Sequence, residues 1–166
     1  MTTARDILQL ATKRTDMSLR SAFCKDDEFI RFMSGHSITI ENEITRLFAG
    51  PTFDPFPLVA MFTEGLSESV ENGILDFRVP KIAIVMRTRT DTTEKQKLDY
   101  GFKEVLHPIF EEFCVQLRRL HFGYDLKIER TDLPCVSSGG RNASLNQLCD
   151  AVIIRNLRMK CPVKTC

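Results

Sequence analysis

His36, His107 and His121 are the side chains in this 166-residue chain best suited to move a proton or hold a metal. None has the H-x-x-x-H spacing that places two imidazoles on one helix face, and none adjoins a cysteine pair. His107 precedes Pro108 inside a stretch of helical periodicity. His121 falls at the end of that stretch, where a cation suits the helix dipole. Structural roles are expected for all three. The cysteines stand at 24, 114, 135, 149, 161 and 166. Cys161 and Cys166 form C-x4-C, but no second pair is spaced to complete a tetrahedral zinc site. Cys114 and Cys161 fall on apolar faces, where cysteine behaves as a small hydrophobe. The start, Met1-Thr-Thr-Ala-Arg-Asp6, has no basic region followed by an apolar run, so no signal peptide and reduced thiols are expected.

Ser137-Ser-Gly-Gly-Arg141 has the composition of a phosphate-cradling loop, but the G-x-x-x-x-G-K-[ST] spacing is missing. The residues before it, Leu133-Pro-Cys135, make a poor strand, so a surface loop is expected. Glu111 and Glu112 face away from an apolar stripe and read as a solvated face. Asp54, between Phe53 and Pro55, suits a turn. No order of Ser, His and Asp or of Cys and His stands above chance. No catalytic, cofactor-binding or metal residue is therefore assigned, and no cofactor or enzymatic activity is expected.

Composition agrees with a packed domain. Hydrophobic residues make up 43% and charged residues 27%. The aromatics are twelve Phe and two Tyr with no Trp, which favours core or contact surface over a ligand cage. Net charge is +1, from 23 basic and 22 acidic residues. Such a balance leaves no footprint for nucleic acid on the protein as a whole, and little self-repulsion between copies. Arg155, Arg158, Lys160 and Lys164 cluster locally, with Arg118 and Arg119 elsewhere; a solvated strand edge and helix end account for them. No window reaches the ~18 apolar residues that a spanning helix needs.

The elements follow from periodicity. Ile7, Leu8, Leu10 and Ala11 suggest a short amphipathic helix over residues 4–13. Asp26 is expected to cap a helical turn through Phe29, Ile30, Phe32 and Met33, stopped by Ser34-Gly35. Ile40, Ile44, Leu47 and Phe48 give a second helix, ended by Gly50-Pro51. The prolines at 51, 55 and 57 make a stiff, extended entry. Leu58–Phe62 reads as a strand, and 64–73 as a hairpin loop. Over Ile74–Thr88, Leu75, Phe77 and Val79 share one face opposite Asp76 and Arg78. Pro80 implies a bulge, bend or edge. Ile82–Met86 is apolar on both faces, as in a central strand.

Thr92 or Thr93 caps the strongest helix signal. Leu98, Phe102, Val105, Leu106, Ile109, Phe110, Phe113, Leu117 and Leu120 form one stripe roughly 40 Å long. Pro108 removes the bond to the Glu104 carbonyl and should kink this helix. Tyr124–Arg130 reads as a strand with Leu126 and Ile128 on one face, and 131–147 as loop. Ala151–Cys161 closes the domain, with Ile153, Leu157, Met159 and Cys161 opposite Arg158 and Lys160. The expected fold is α+β, a mostly antiparallel β-β-α-β-β sheet with one long helix packed on it. Residues 1–50 form a helical arm or subdomain, 51–161 the core and 162–166 a short tail.

The segments Phe53-Asp-Pro-Phe-Pro-Leu-Val59, Lys81-Ile-Ala-Ile-Val-Met-Arg-Thr-Arg-Thr90, Val105-Leu-His-Pro-Ile-Phe-Glu-Glu-Phe113 and Cys149-Asp-Ala-Val-Ile-Ile-Arg-Asn-Leu-Arg-Met159 together resemble the tail-completion and neck proteins of tailed bacteriophages, of the Bacteroidetes-phage type. The resemblance spans residues 53–161 and resides in pattern, not in a catalytic fingerprint. It implies a tail-terminator-like structural virion protein: a head–tail connector ring between portal and tail. It also implies self-association into about six or twelve copies. The implied partners are portal, neck or tail proteins, with DNA passing through the lumen without sequence-specific contact and no membrane. Assembly would take place in the bacterial cytoplasm. The alternative is a small cytoplasmic adaptor, or an enzyme of unknown substrate.

Overall fold

The computed structural model describes residues 2–49, 57–87, 93–135 and 149–163. Residues 51–56 with Asp54, residues 88–92 with Thr92, the Ser137–Arg141 segment, Lys164 and Cys166 lie outside the described residues.

The chain begins with α1, Ala4–Leu19, started by a Thr3–Asp6 capping box. The helix runs six residues past the expected 4–13. Thr12 and Thr15 are buried and bond back to the Leu8 and Ala11 carbonyls, so the polar stretch stays helical. Next comes β1, Arg31–Gly35, where a helical turn was expected. Its backbone pairs parallel to β2, Leu58–Phe62, with Arg31 opposite Leu58 and Gly35 opposite Phe62. That long-range ladder overrides the local helical spacing of Phe29, Ile30, Phe32 and Met33. Between them lies α2, Ser37–Ala49, as its periodicity predicts.

After β2 come β3, Ser67–Glu71, and β4, Ile74–Arg87. β3 arises inside the expected hairpin loop. Its side chains are exposed, so no apolar alternation announces it. A turn Glu94–Gln96 (α3) opens the helical run, with Thr93 and Gln96 exchanging capping hydrogen bonds. It continues as a π-helix, Lys97–Leu106, then as α4, His107–Leu120. The His107 N–H reaches back five residues to the Phe102 carbonyl, and Pro108 sits in the first turn of α4. A proline has no N–H to give the preceding turn. Here wide π winding occupies that preceding stretch, in place of plain α-helix. The sheet closes with β5, Glu129–Leu133, and β6, Cys149–Pro162.

The fold is α+β with a mixed sheet in the order β1-β2-β4-β6-β5, and β3 beside β4. Every pairing except β1–β2 is antiparallel. β4 is central, and over Ile82–Val85 it is apolar on both faces, as expected for this part of the strand. Ile82 and Ile84 join one cluster, while Ala83 and Val85 join the other. The larger cluster holds α1, the π-helix and α4 against the sheet through Leu8, Phe102, Ile109 and Phe113. Across the sheet, Ile40 and Ile44 of α2 share the second cluster with Ala60, Ala83 and Ala151. Residues 1–50 thus supply Ala4, Ile7, Leu8, Ala11 and Ile30 to the same core as β4 and β6, and a strand to the same sheet.

The interruption expected at Pro80 occurs in two strands at once. Leu75, Phe77 and Val79 point into the large cluster, and so do Ile82 and Ile84, so the inward set changes from odd to even positions. In β6, Val152 and Ile154 point inward, then Leu157, Met159 and Cys161. The ladder passes from Val79↔Leu157 to Lys81↔Arg155 and omits Pro80 and Asn156. Both strands turn over at one level, so their register is unchanged. Asn156 takes φ 51, a left-handed value that asparagine tolerates better than most residues. Ile153 therefore lies on the face opposite Leu157, not on the shared face expected.

The face switch also explains why β5 begins at Glu129, not at Tyr124. Phe122 N–H donates to the Lys160 carbonyl at 2.6 Å. The chain then leaves β6 and rejoins it at Glu129↔Arg155, beyond Asn156. Leu126 and Ile128 still pack against the large cluster from outside the sheet.

Candidate functional site

His36 lies just before α2, with Nδ1 3.2 Å from Glu64 Oε1. Ser37 donates to the same oxygen through its backbone N–H, at 2.6 Å, and through its hydroxyl. Serine, histidine and carboxylate meet here, but the hydroxyl donates to the carboxylate and not to the imidazole. That geometry caps the N-terminus of α2; it does not activate a nucleophile. Burial works to raise the Glu64 carboxyl, but the Ser37 hydrogen bonds outweigh it and hold the group below its ordinary value.

His107 links the helical layer to β5. Its Nε2 is 2.8 Å from Asp132 Oδ2, and the Phe102 ring lies 5.8 Å away, centroid to centroid. Arg130 Nε approaches the other carboxylate oxygen at 3.4 Å while its guanidinium lies over Phe110. This constellation ties a strand to a helix.

His121 caps the end of α4, but not as a cation. Its Nδ1 accepts the Lys160 backbone N–H at 3.2 Å, which requires an unprotonated nitrogen. Burial and the nearby Lys160 charge lower its pKa, in the same direction. Gly123 (φ 142) follows, and a side chain there would press on His121 Nε2 at 3.1 Å.

The cysteines divide by depth. Cys114 and Cys161 lie in the core, and burial pushes each thiol up to about 11. Cys161 thus sits in the apolar interior, as its strand pattern implies. Glu111 is exposed, whereas Glu112 accepts a 2.6 Å hydrogen bond from the buried Gln116. Arg118 and Arg119 are exposed at the end of α4. Arg158 and Lys160 occupy the open face of β6, where Lys160 Nζ lies 3.7 Å from Asp76. Arg78 on the same face donates to Asn156 at 2.7 Å. Acidic and amide partners thus interleave with these cations.

The structure shows a feature that sequence reasoning missed. Asp76, His121, Arg158 and Lys160 border an open cleft of about 590 Å3 beside Phe122 and Tyr124. Phe122 is 59% exposed and Tyr124 fully exposed. Aromatic side chains ringed by charge are the composition of protein contact surfaces. The available signal was His-Phe-Gly-Tyr after a helix end, a turn displaying two aromatics that a strand assignment hid.

Both ends of the sheet are open among the described residues. β1 and β5 are its terminal strands, and no described strand pairs with their outer sides. Among the described residues, no helix is long and apolar enough to cross a membrane. No protein-family model matches the chain, and no curated protein matches it.

Proposed function

We propose that this chain works by assembly, as a structural subunit that closes into a ring of identical copies and carries out no catalysis. Following the resemblance of residues 53–161, the ring belongs to a bacteriophage neck, between portal and tail. The DNA crosses its lumen without sequence-specific contact.

One observation carries this reading. The two terminal strands are each five residues long and run in opposite directions. When subunits are placed side by side in one orientation, β5 of each meets β1 of the next antiparallel, the more stable ladder. Such a contact is heterologous, and a heterologous contact that closes makes a ring. Glu129, Arg130 and Asp132 on β5 would discourage non-specific pairing and favour one matched edge. The aromatic turn at Phe122 and Tyr124 supplies a second contact, toward a neighbouring ring.

The test is native mass over a concentration series, by light scattering on a sizing column. A single closed species of about six or twelve copies is expected. A strict monomer at every concentration, with no ladder of intermediates, would overturn self-assembly and favour the small adaptor or enzyme.

A further inference from the structure

We infer that Cys135 and Cys149 are a thiol–disulfide modification site, joined by oxidation at the end of the β5–β6 ladder. The register places them. Asp132 faces Val152 and Leu133 faces Ala151. The ladder ends there, and the same count carried two residues further brings Cys135 level with Cys149. Facing residues in an antiparallel pair have Cα atoms about 4.5–5.5 Å apart. A disulfide spans Cα separations of about 4.4–6.8 Å, so either kind of facing pair fits.

Cys149, Ala151 and Ile153 point into the α2-side cluster, and Leu133 packs on that cluster. Cys135 lies two residues beyond Leu133, just past the end of β5, close enough for its charge to act on the Cys149 thiol. Its backbone is held at both ends. The Cys135 N–H donates to Asp150 Oδ1 at 2.7 Å, and Lys97 Nζ donates to its carbonyl at 3.0 Å. Burial raises the Cys149 thiol, and the nearness of Cys135 raises it further, as expected of two sulfurs in proximity.

Depth sets the order of chemistry. Cys149 is fully buried, whereas Cys135 is half-buried and meets solutes. The oxidant is a small disulfide such as oxidised glutathione. The Cys135 thiolate attacks one glutathione sulfur, forming a mixed disulfide and expelling one glutathione thiolate. The Cys149 thiolate then attacks the Cys135 sulfur and expels the second. Each protein thiol loses one proton and each glutathione gains one, so two electrons pass to the glutathione couple. In a reducing compartment the pair remains a dithiol.

The full chain is equilibrated with oxidised and reduced glutathione at graded ratios, alkylated and digested with trypsin. The expected product joins peptide 131–141 to peptide 142–155. Cys149→Ser should trap glutathione on Cys135, and Cys135→Ser should leave Cys149 without it. The oxidised protein should melt about 5 °C higher than the reduced one. Absence of the joined peptide from folded protein at every ratio would overturn the site. So would glutathione on Cys149 in the Cys135→Ser chain.

Discussion

Asp16 shows how one side chain can set the path of a segment. It is fully buried near the end of α1 and has no apolar role. Its Oδ1 accepts the backbone N–H groups of Phe29 and Ile30, each at 2.8 Å. Its Oδ2 accepts Arg20 through Nε and Nη2, at 2.8 and 2.6 Å. The carboxylate thereby fixes the approach to β1, one residue before the strand begins. Removing it leaves one buried and one half-buried donor and a cation unmatched. Asp16→Ala should therefore cost about 3 kcal/mol in urea unfolding, with the slope unchanged. Arg20 is partly exposed, so Arg20→Ala should cost less, about 1 kcal/mol. Equal losses in the two variants would contradict this division of roles.

At the scale of elements, the paired switch at Pro80 and Asn156 divides the sheet. On one side of it, α2 and the long helical layer cover both faces. On the other, Asp76, Arg78, Arg158 and Lys160 leave one face to water. Asn156 carries the left-handed backbone of the switch, at φ 51. Asn156→Gly should stay within about 0.5 kcal/mol of the parent, because glycine adopts that conformation freely. Asn156→Val should lose about 2 kcal/mol, because a branched side chain clashes there. Chemical unfolding of the two variants measures the difference, and similar stabilities would show that the switch is not held by backbone conformation. The helical run is organised in the same way. At its first turns Lys97 reaches the Cys135 carbonyl and Gly101 faces Met86 and Asp150, so Leu98 is turned out, 44% exposed. The expected apolar stripe starts at Phe102 instead.

At the scale of the molecule, the described elements share two apolar clusters on the faces of one sheet. α1 lies along α4 and contributes to the larger cluster, and β1 forms one edge of the sheet. An N-terminal truncation therefore does more than remove a surface for a partner. A chain lacking residues 1–35 should lose its cooperative thermal transition by circular dichroism, because it uncovers Phe113, Leu117 and Val59 together. A truncated chain that melts cooperatively near the parent temperature would show that residues 1–35 are an independent arm.

The α+β class, β2, β4, β6, α2 and the long helical run were legible from sequence, because each has a buried face that writes its own period into the residues. Leu75, Phe77 and Val79 on one face and the run from Phe102 to Leu117 are such records. Ile82–Met86, apolar at every position, marked the centre of the sheet. The tertiary structure decided the rest. β1 and β3 are edge strands with little buried surface, so their identity resides in backbone hydrogen bonds to distant partners. β5 is displaced because β6 turns over at Asn156, and the place of Ile153 follows from that turn. The nearness of Cys135 to Cys149, the aromatic cleft at Phe122 and the open edges at β1 and β5 all depend on which strands lie side by side. Residue periodicity records burial along one element, whereas register and edges belong to pairs of elements far apart in the chain.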